Sequence, residues 1–374
     1  MFAQNLDKRS LSYFYHDSSV TISQTIIFMF NTLRKASIAL LVASTAFVQL
    51  SCKKDADPDK IGNWYRQGLP SFGGSGRTGA VSFVIGDVGY VGTGFTNETV
   101  ARVKDMWAYN AQTKIWTQTA PFAGSGRNGA VAFVLNGKAY VGTGYDQVVT
   151  VDNGYKKDFY QYDPAGNKWK AVADFPGTRQ YATAFVSNNR AYVGLGYNGS
   201  NFFQDFYEYN ATTDKWNEIA TFIGGKRYGA LSFTVSGKTY VGFGKSNSTV
   251  PTKDLYSFDP AGNGGTGSWT RVVYADNETS ETDFPARAFG LALVLGDKAY
   301  IIGGENRSDV WEYDPAANSW LEKAPFVGNQ RGFAAGFSIG NVAYFGTGSS
   351  SGSSGTDDFW AFDPGTAINT DDDQ

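Results

Sequence analysis

From Ala80 onward, apolar and polar positions fall into short runs with a period of two, and no stretch between them keeps a helical period. The run "AVSFVIGDVGYVGTG" (80–94) reads as a strand, a tight turn and a second strand. The two turn positions are Gly86-Asp87 here and Asn136-Gly137, Asn188-Asn189, Ser236-Gly237, Gly296-Asp297 and Gly340-Asn341 in later runs. Such pairs tolerate the positive backbone angles that two-residue hairpins require. A third strand follows, with aromatics on alternate residues, as in Trp107/Tyr109 and Tyr160/Tyr162. Asp-Pro or Asn-Ala then breaks the pattern, and a fourth strand carries a Trp.

These sets repeat. An Arg followed thirteen residues later by a Tyr occurs six times: Arg77/Tyr90, Arg127/Tyr140, Arg179/Tyr192, Arg227/Tyr240, Arg287/Tyr300 and Arg331/Tyr344. Behind each comes an Asp phrase such as "DMWAYNAQTKIW" from Asp105 or "DFYQYDPAGNKW" from Asp158. The last phrase, from Asp358, ends before its Trp, while Trp64 precedes the first repeat with no phrase of its own. A four-stranded unit cannot bury both faces alone, so repeats of this length predict blades stacked about an axis. The expected fold is all-β: a six-bladed β-propeller, four antiparallel strands per blade, closed by an N-terminal strand around Trp64. The expected boundaries are an upstream extension and leader over 1–51, a tether over 52–62, the propeller over 63–364 and a disordered acidic tail over 365–374.

The Tyr before a Gly-containing strand and the Trp strand resemble kelch repeats over nearly all of Trp64–Pro364. The usual Gly-Gly pair survives as Gly303-Gly304; the other copies read Gly-x-Gly, as in "YVGTGF" and "YVGLGY". This variant is similar to bacterial kelch proteins related to the central domain of galactose oxidase. The resemblance implies a propeller and leaves function open, because such propellers serve both as binding platforms and as enzyme frames.

The upstream segment changes the cellular picture. Ala36–Val48 is apolar or small, follows Arg34-Lys35 and is too short to span a bilayer comfortably. It leads to "QLSC", which resembles a bacterial lipobox, so Cys52 is the expected lipidation site, with an ordinary cleaved secretory peptide as the alternative. Acidic residues soon after Cys52 resemble sorting signals of surface lipoproteins, which places the expected location at the bacterial outer membrane, facing the surface or the periplasm. Met29 would open a conventional leader, which points to a true start later than residue 1.

The sole His, His16, lies before Met29, and Cys52 is the sole Cys. A mature chain would therefore lack the residues for His/Cys zinc sites, for Ser-His-Asp or Cys-His catalysis, and for His-ligated copper. Galactose-oxidase chemistry is not expected, nor any cofactor or metal. The loop "DNETSETD" (276–283) is acidic but lacks the spacing of a known cation motif. A formal charge of −3 without a basic run excludes a nucleic-acid partner.

Candidate chemistry gathers on one face, where connections into the first strand meet those between the second and third. There the six Arg stand beside Phe95, Tyr145, Tyr197, Lys245, Glu305 and Ser349. The connecting loops vary from 9 residues between Tyr300 and Asp309 to 18 between Tyr140 and Asp158, as expected of a binding face. Two readings of the Arg ring follow. Either the guanidinium forks face a carboxylated or acidic ligand at the channel mouth, or each pairs with the Asp of its repeat. The expected function is a monomeric, non-catalytic propeller, attached to the membrane through its lipid alone, that binds a glycan or protein at this mouth. The alternative is a carbohydrate-active enzyme such as a sialic-acid mutarotase or epimerase, with Glu305 as its candidate acid–base residue.

Overall fold

Each Arg-to-Trp phrase folds into one antiparallel sheet whose strands lie side by side in chain order. The computed structural model describes residues 60–150, 152–247, 250–272, 284–350 and 354–372; the leader, Cys52 and the 276–283 loop lie outside the described residues. Blade 1 comprises Val81–Ile85, Val88–Gly92, Met106–Asn110 and Ile115–Thr119. Blade 2 comprises Val131–Leu135, Lys138–Gly142, Phe159–Asp163 and Lys168–Val172. Blade 3 starts at Thr183, blade 4 at Leu231 and blade 5 at Leu291, each with the same four strands. Blade 6 takes Ala335–Ile339, Val342–Gly346 and Phe359–Asp363 from the C-terminal end and Asn63–Tyr65 from the N-terminal end. Trp64 pairs with Phe362, so the two ends share one sheet as the unmatched Trp predicted.

Packing between blades comes from the repeat aromatics. Tyr90, Tyr140, Tyr192 and Tyr240 stand across from Phe83, Phe133, Phe185 and Phe233, with ring centroids 5.0, 4.9, 5.1 and 5.2 Å apart. Each apolar cluster draws on two consecutive blades: Phe83, Tyr90 and Met106 of blade 1 meet Ala139, Val141 and Tyr162 of blade 2. The series closes where Val91 and Tyr109 of blade 1 meet Phe337, Tyr344 and Phe359 of blade 6. Large aromatics contribute roughly 1.5–3 kcal/mol each when buried, so these interfaces dominate the stability of the ring.

The Gly-x-Gly variant has a packing cause. Its first Gly ends the second strand opposite a large side chain: Gly142 faces Phe159 and Gly194 faces Phe206. A Cβ on Gly142 would lie 2.2 Å from the Phe159 ring. In blade 5 the volumes are exchanged, with Ile302 opposite Val310. The acidic tail departs from the expected disorder over 365–372. Thr366 accepts a hydrogen bond from the Gly62 N–H at 3.0 Å, and the Asn369 N–H donates to Asn63 Oδ1 at 2.8 Å. The tail therefore clamps the closing strand.

Candidate functional site

The six repeat arginines are buried, with exposures of 0–2%. Each guanidinium reaches the Asp of its own repeat. Arg77 donates to both Asp105 oxygens at 2.8 Å, Arg179 to Asp205 at 2.7 and 2.9 Å, and Arg287 to Asp309 at 2.6 Å. Arg127, Arg227 and Arg331 pair likewise with Asp158, Asp254 and Asp358. A Phe three to five residues upstream lies under each fork: Phe72, Phe122, Phe175, Phe222, Phe284 and Phe326, with centroids 4.5–4.9 Å away. Nη1 also donates to the carbonyl sixteen residues on, at Thr93, Thr143, Leu195, Phe243, Gly303 and Thr347. Those six residues have φ between 57° and 61°, which a non-glycine adopts only at a cost. The arginine thus pins this corner in every blade, and in the five blades where it is not a glycine the corner is strained. This corrects the ligand-facing reading of Arg77, Arg127, Arg179, Arg227, Arg287 and Arg331: each head is buried and its Nη groups donate to the Asp and the carbonyl of its own repeat.

Two residues beyond each Arg the chain turns at the axis. Gly79, Gly129, Tyr181, Gly229, Phe289 and Phe333 all have positive φ, and their peptide groups form a closed circle. Each N–H donates to the carbonyl of its counterpart in the preceding blade, over 2.7–3.1 Å, with Gly79 donating to Phe333 to complete the ring. Three of the six positions carry aromatics, and their rings gather over the axis. Phe289 and Phe333 stack at 4.2 Å, and Tyr181 meets them at 5.0 and 5.5 Å. An axial cavity of about 130 Å³ is lined by this plug and by Ala80, Ala130, Ala182 and Ala230. Burial pushes the Tyr181 hydroxyl up to about 12, so it is protonated at neutral pH; it accepts from Asn128 Nδ2 at 3.0 Å.

Around the plug the predicted mouth residues fall in place. Phe95, Tyr145, Tyr197, Lys245 and Ser349 bridge to Thr78, Asn128, Gln180, Tyr228 and Gly332, and Glu305 bonds to Ala288 through its backbone. The face is unequal. Blades 2 to 4 carry a continuous aromatic arc in which Tyr145 meets Tyr155 at 4.9 Å and Tyr155 meets Tyr197 at 5.9 Å. Tyr197 stacks on Phe202 at 4.7 Å, and Tyr228 links the arc to Phe289 at 5.4 Å. All five arc residues keep partial exposure. Burial pushes the Tyr155 hydroxyl up to about 12. A cleft of about 600 Å³ leads outward from Phe202 past Ser200, Asn201, Lys226 and Asn247. On the other side Lys245 pairs with Glu305, and its amine lies 6.0 Å from the Phe289 ring centre.

Tyr155 and Phe202 were not among the expected residues, nor was Arg102. They share one repeat position, three before the Asp, where Arg102, Tyr155, Phe202 and Pro251 stand across from Phe95, Tyr145, Tyr197 and Lys245. Counting back from the Asp finds them; counting forward from the glycines fails because the loops between differ in length. The plug had its own signal, the replacement of Gly79, Gly129 and Gly229 by Tyr181, Phe289 and Phe333.

A family model of the kelch motif matches residues 286–326, the repeat that keeps Gly303-Gly304. No curated protein matches the chain. A solved structure described as "Structure of YjhT" superposes with a TM-score of 0.65 at 18% identity, covering 78% of this chain and 95% of that one. The likeness is one of fold.

Proposed function

We propose that this six-bladed β-propeller, one repeat of which matches the kelch motif, is a non-catalytic binding protein that takes a glycan on its loop face. The observation that carries this reading is the aromatic arc of Tyr145, Tyr155, Tyr197, Phe202 and Tyr228, half-exposed beside a closed axis. Aromatic faces stack on the C–H faces of sugars, and backbone bridges between the loops hold these rings in place before binding. The apolar plug supplies a floor, and Asn128, Gln180 and the Lys245–Glu305 pair supply polar groups at its edge. Screening on a glycan array, with Tyr155→Ala and Tyr197→Ala beside the wild type, tests the reading. Each substitution is expected to weaken binding by about tenfold; binding indifferent to both would refute it.

The same reading places the propeller at the bacterial outer membrane through a lipid on Cys52. Its support is the apolar run Ala36–Val48 ending in "QLSC". Metabolic labelling with a fatty-acid analogue should mark the wild type and not Cys52→Ser. An enzymatic reading draws on one observation, the Glu305 carboxylate held beside the plug by Lys245. It predicts accelerated anomerisation of a free sugar such as sialic acid, read by NMR and lost in Glu305→Gln; an unaccelerated rate in the wild type would dismiss it.

A further inference from the structure

Arg102 is an arginine at the mouth that lies outside the repeat Arg positions. It sits on a short hairpin, Phe95–Thr96 with Ala101–Arg102, inserted between the second and third strands of blade 1. Its guanidinium lies between two rings, 4.7 Å from the centre of Tyr145 and 5.3 Å from that of Phe95. Nε donates to Asn128 Oδ1 at 2.8 Å, and Nη1 donates to Gln147 Oε1. Both acceptors are neutral amides. Among the described residues no carboxylate pairs with Arg102, whereas every repeat arginine has its Asp and the nearby Asp146 is taken by Lys156. The fork is thus fixed in direction by two rings and two amides and partly exposed, and among the described residues its charge is uncompensated and Nη2 makes no hydrogen bond. Asn128 carries the arrangement inward, since its Nδ2 donates to the Tyr181 hydroxyl in the plug.

We propose that Arg102 is a carboxylate anchor and that the glycan bound on this face is an acidic one, its carboxylate on the Arg102 fork and its sugar rings on Tyr145, Tyr155 and Tyr197. The inference rests on the glycan reading above. A planar fork with fixed orientation favours a carboxylate over a neutral hydroxyl, because it offers parallel donors and a matching charge. Asn128 completes the device by holding Nε without neutralising it. The test is an array of carboxylated glycans, each printed beside its methyl-esterified counterpart, probed with wild type, Arg102→Gln and Asn128→Asp. The wild type is expected to prefer the free carboxylates by about tenfold or more. Arg102→Gln should bring the two forms to equal, weaker binding. Asn128→Asp, which keeps the arginine but gives it an internal carboxylate, should also erase the preference. A preference unchanged in Arg102→Gln would overturn the anchor while leaving the glycan site standing. Equal wild-type binding to both forms would do the same, and a wild type that binds neither would overturn both.

Discussion

A buried guanidinium needs partners, and each repeat arginine has three: a carboxylate in front, a carbonyl beside it and a Phe ring beneath, as at Arg77. Removing the cation strands the carboxylate. Arg127→Gln is therefore expected to destabilise the protein by about 3–5 kcal/mol, measured by chemical denaturation. Arg127→Lys should cost less but still weaken the fold, since an ammonium lacks the two-pronged contact with Asp158. The pairs also set the acid limit. Burial alone pushes Asp105, Asp254 and Asp358 up, but hydrogen bonds and charge from Arg77, Arg227 and Arg331 outweigh it and hold them below the usual carboxylate range. Folded pKa values lie below unfolded ones, so this stabilisation is complete above the unfolded value of about 4 and drains away as pH falls through the lower folded values. Melting temperature should be level from neutrality to about pH 5 and drop steeply below about pH 4. A decline beginning near pH 6 would contradict this account.

At the scale of the strand, volume is exchanged across neighbours while the backbone stays constant. Gly142 facing Phe159 in blade 2 and Ile302 facing Val310 in blade 5 fill one space in two ways. Gly142→Ile alone is expected to cost about 1–3 kcal/mol or more through overpacking, and Phe159→Val alone to leave a cavity of similar cost. Together they should recover part of the loss, a coupling readable in a double-mutant cycle. The same strands show what a sequence can disclose. Hairpin turns, the Arg-to-Tyr interval and the aromatic alternation are local and repeat without change, so the blades and their number were legible. Phe95, Tyr145, Tyr197, Lys245 and Glu305 were legible for the same reason, lying three residues past the end of a second strand of constant length. Arg102, Tyr155 and Phe202 were hidden by loops of unequal length. The fate of the repeat arginines was undecided in sequence because the Asp that binds each one lies 22–31 residues away, and pairing across that distance is a property of the folded blade.

For the whole molecule, six blades without a disulfide form a stable ring only if the last sheet is completed by the first residues of the propeller. Trp64 is 2% exposed, packed among Phe326, Phe345 and Phe362 at centroid distances of 4.7–5.7 Å, and its indole N–H donates to the Ala324 carbonyl of blade 5. The same bond ties Trp169, Trp216 and Trp269 to Ala120, Ala173 and Ala220, so the closing strand reproduces an ordinary blade contact across the ends of the chain. Trp64→Ala should therefore cost about 3–5 kcal/mol. Removing residues through Tyr65 should do more than that, because it bares the edge of Phe359–Asp363, a hydrophobic strand with unpaired backbone groups. The shortened chain is expected to self-associate through that edge, read as concentration-dependent mass in light scattering. A synthetic peptide of residues 60–67, supplied in excess, should pair with the vacant edge and restore the monomer. A shortened chain that stays monomeric and melts with the wild type would mean that the ring holds without its closing strand, and the fixed mouth on which the binding site depends would need another origin.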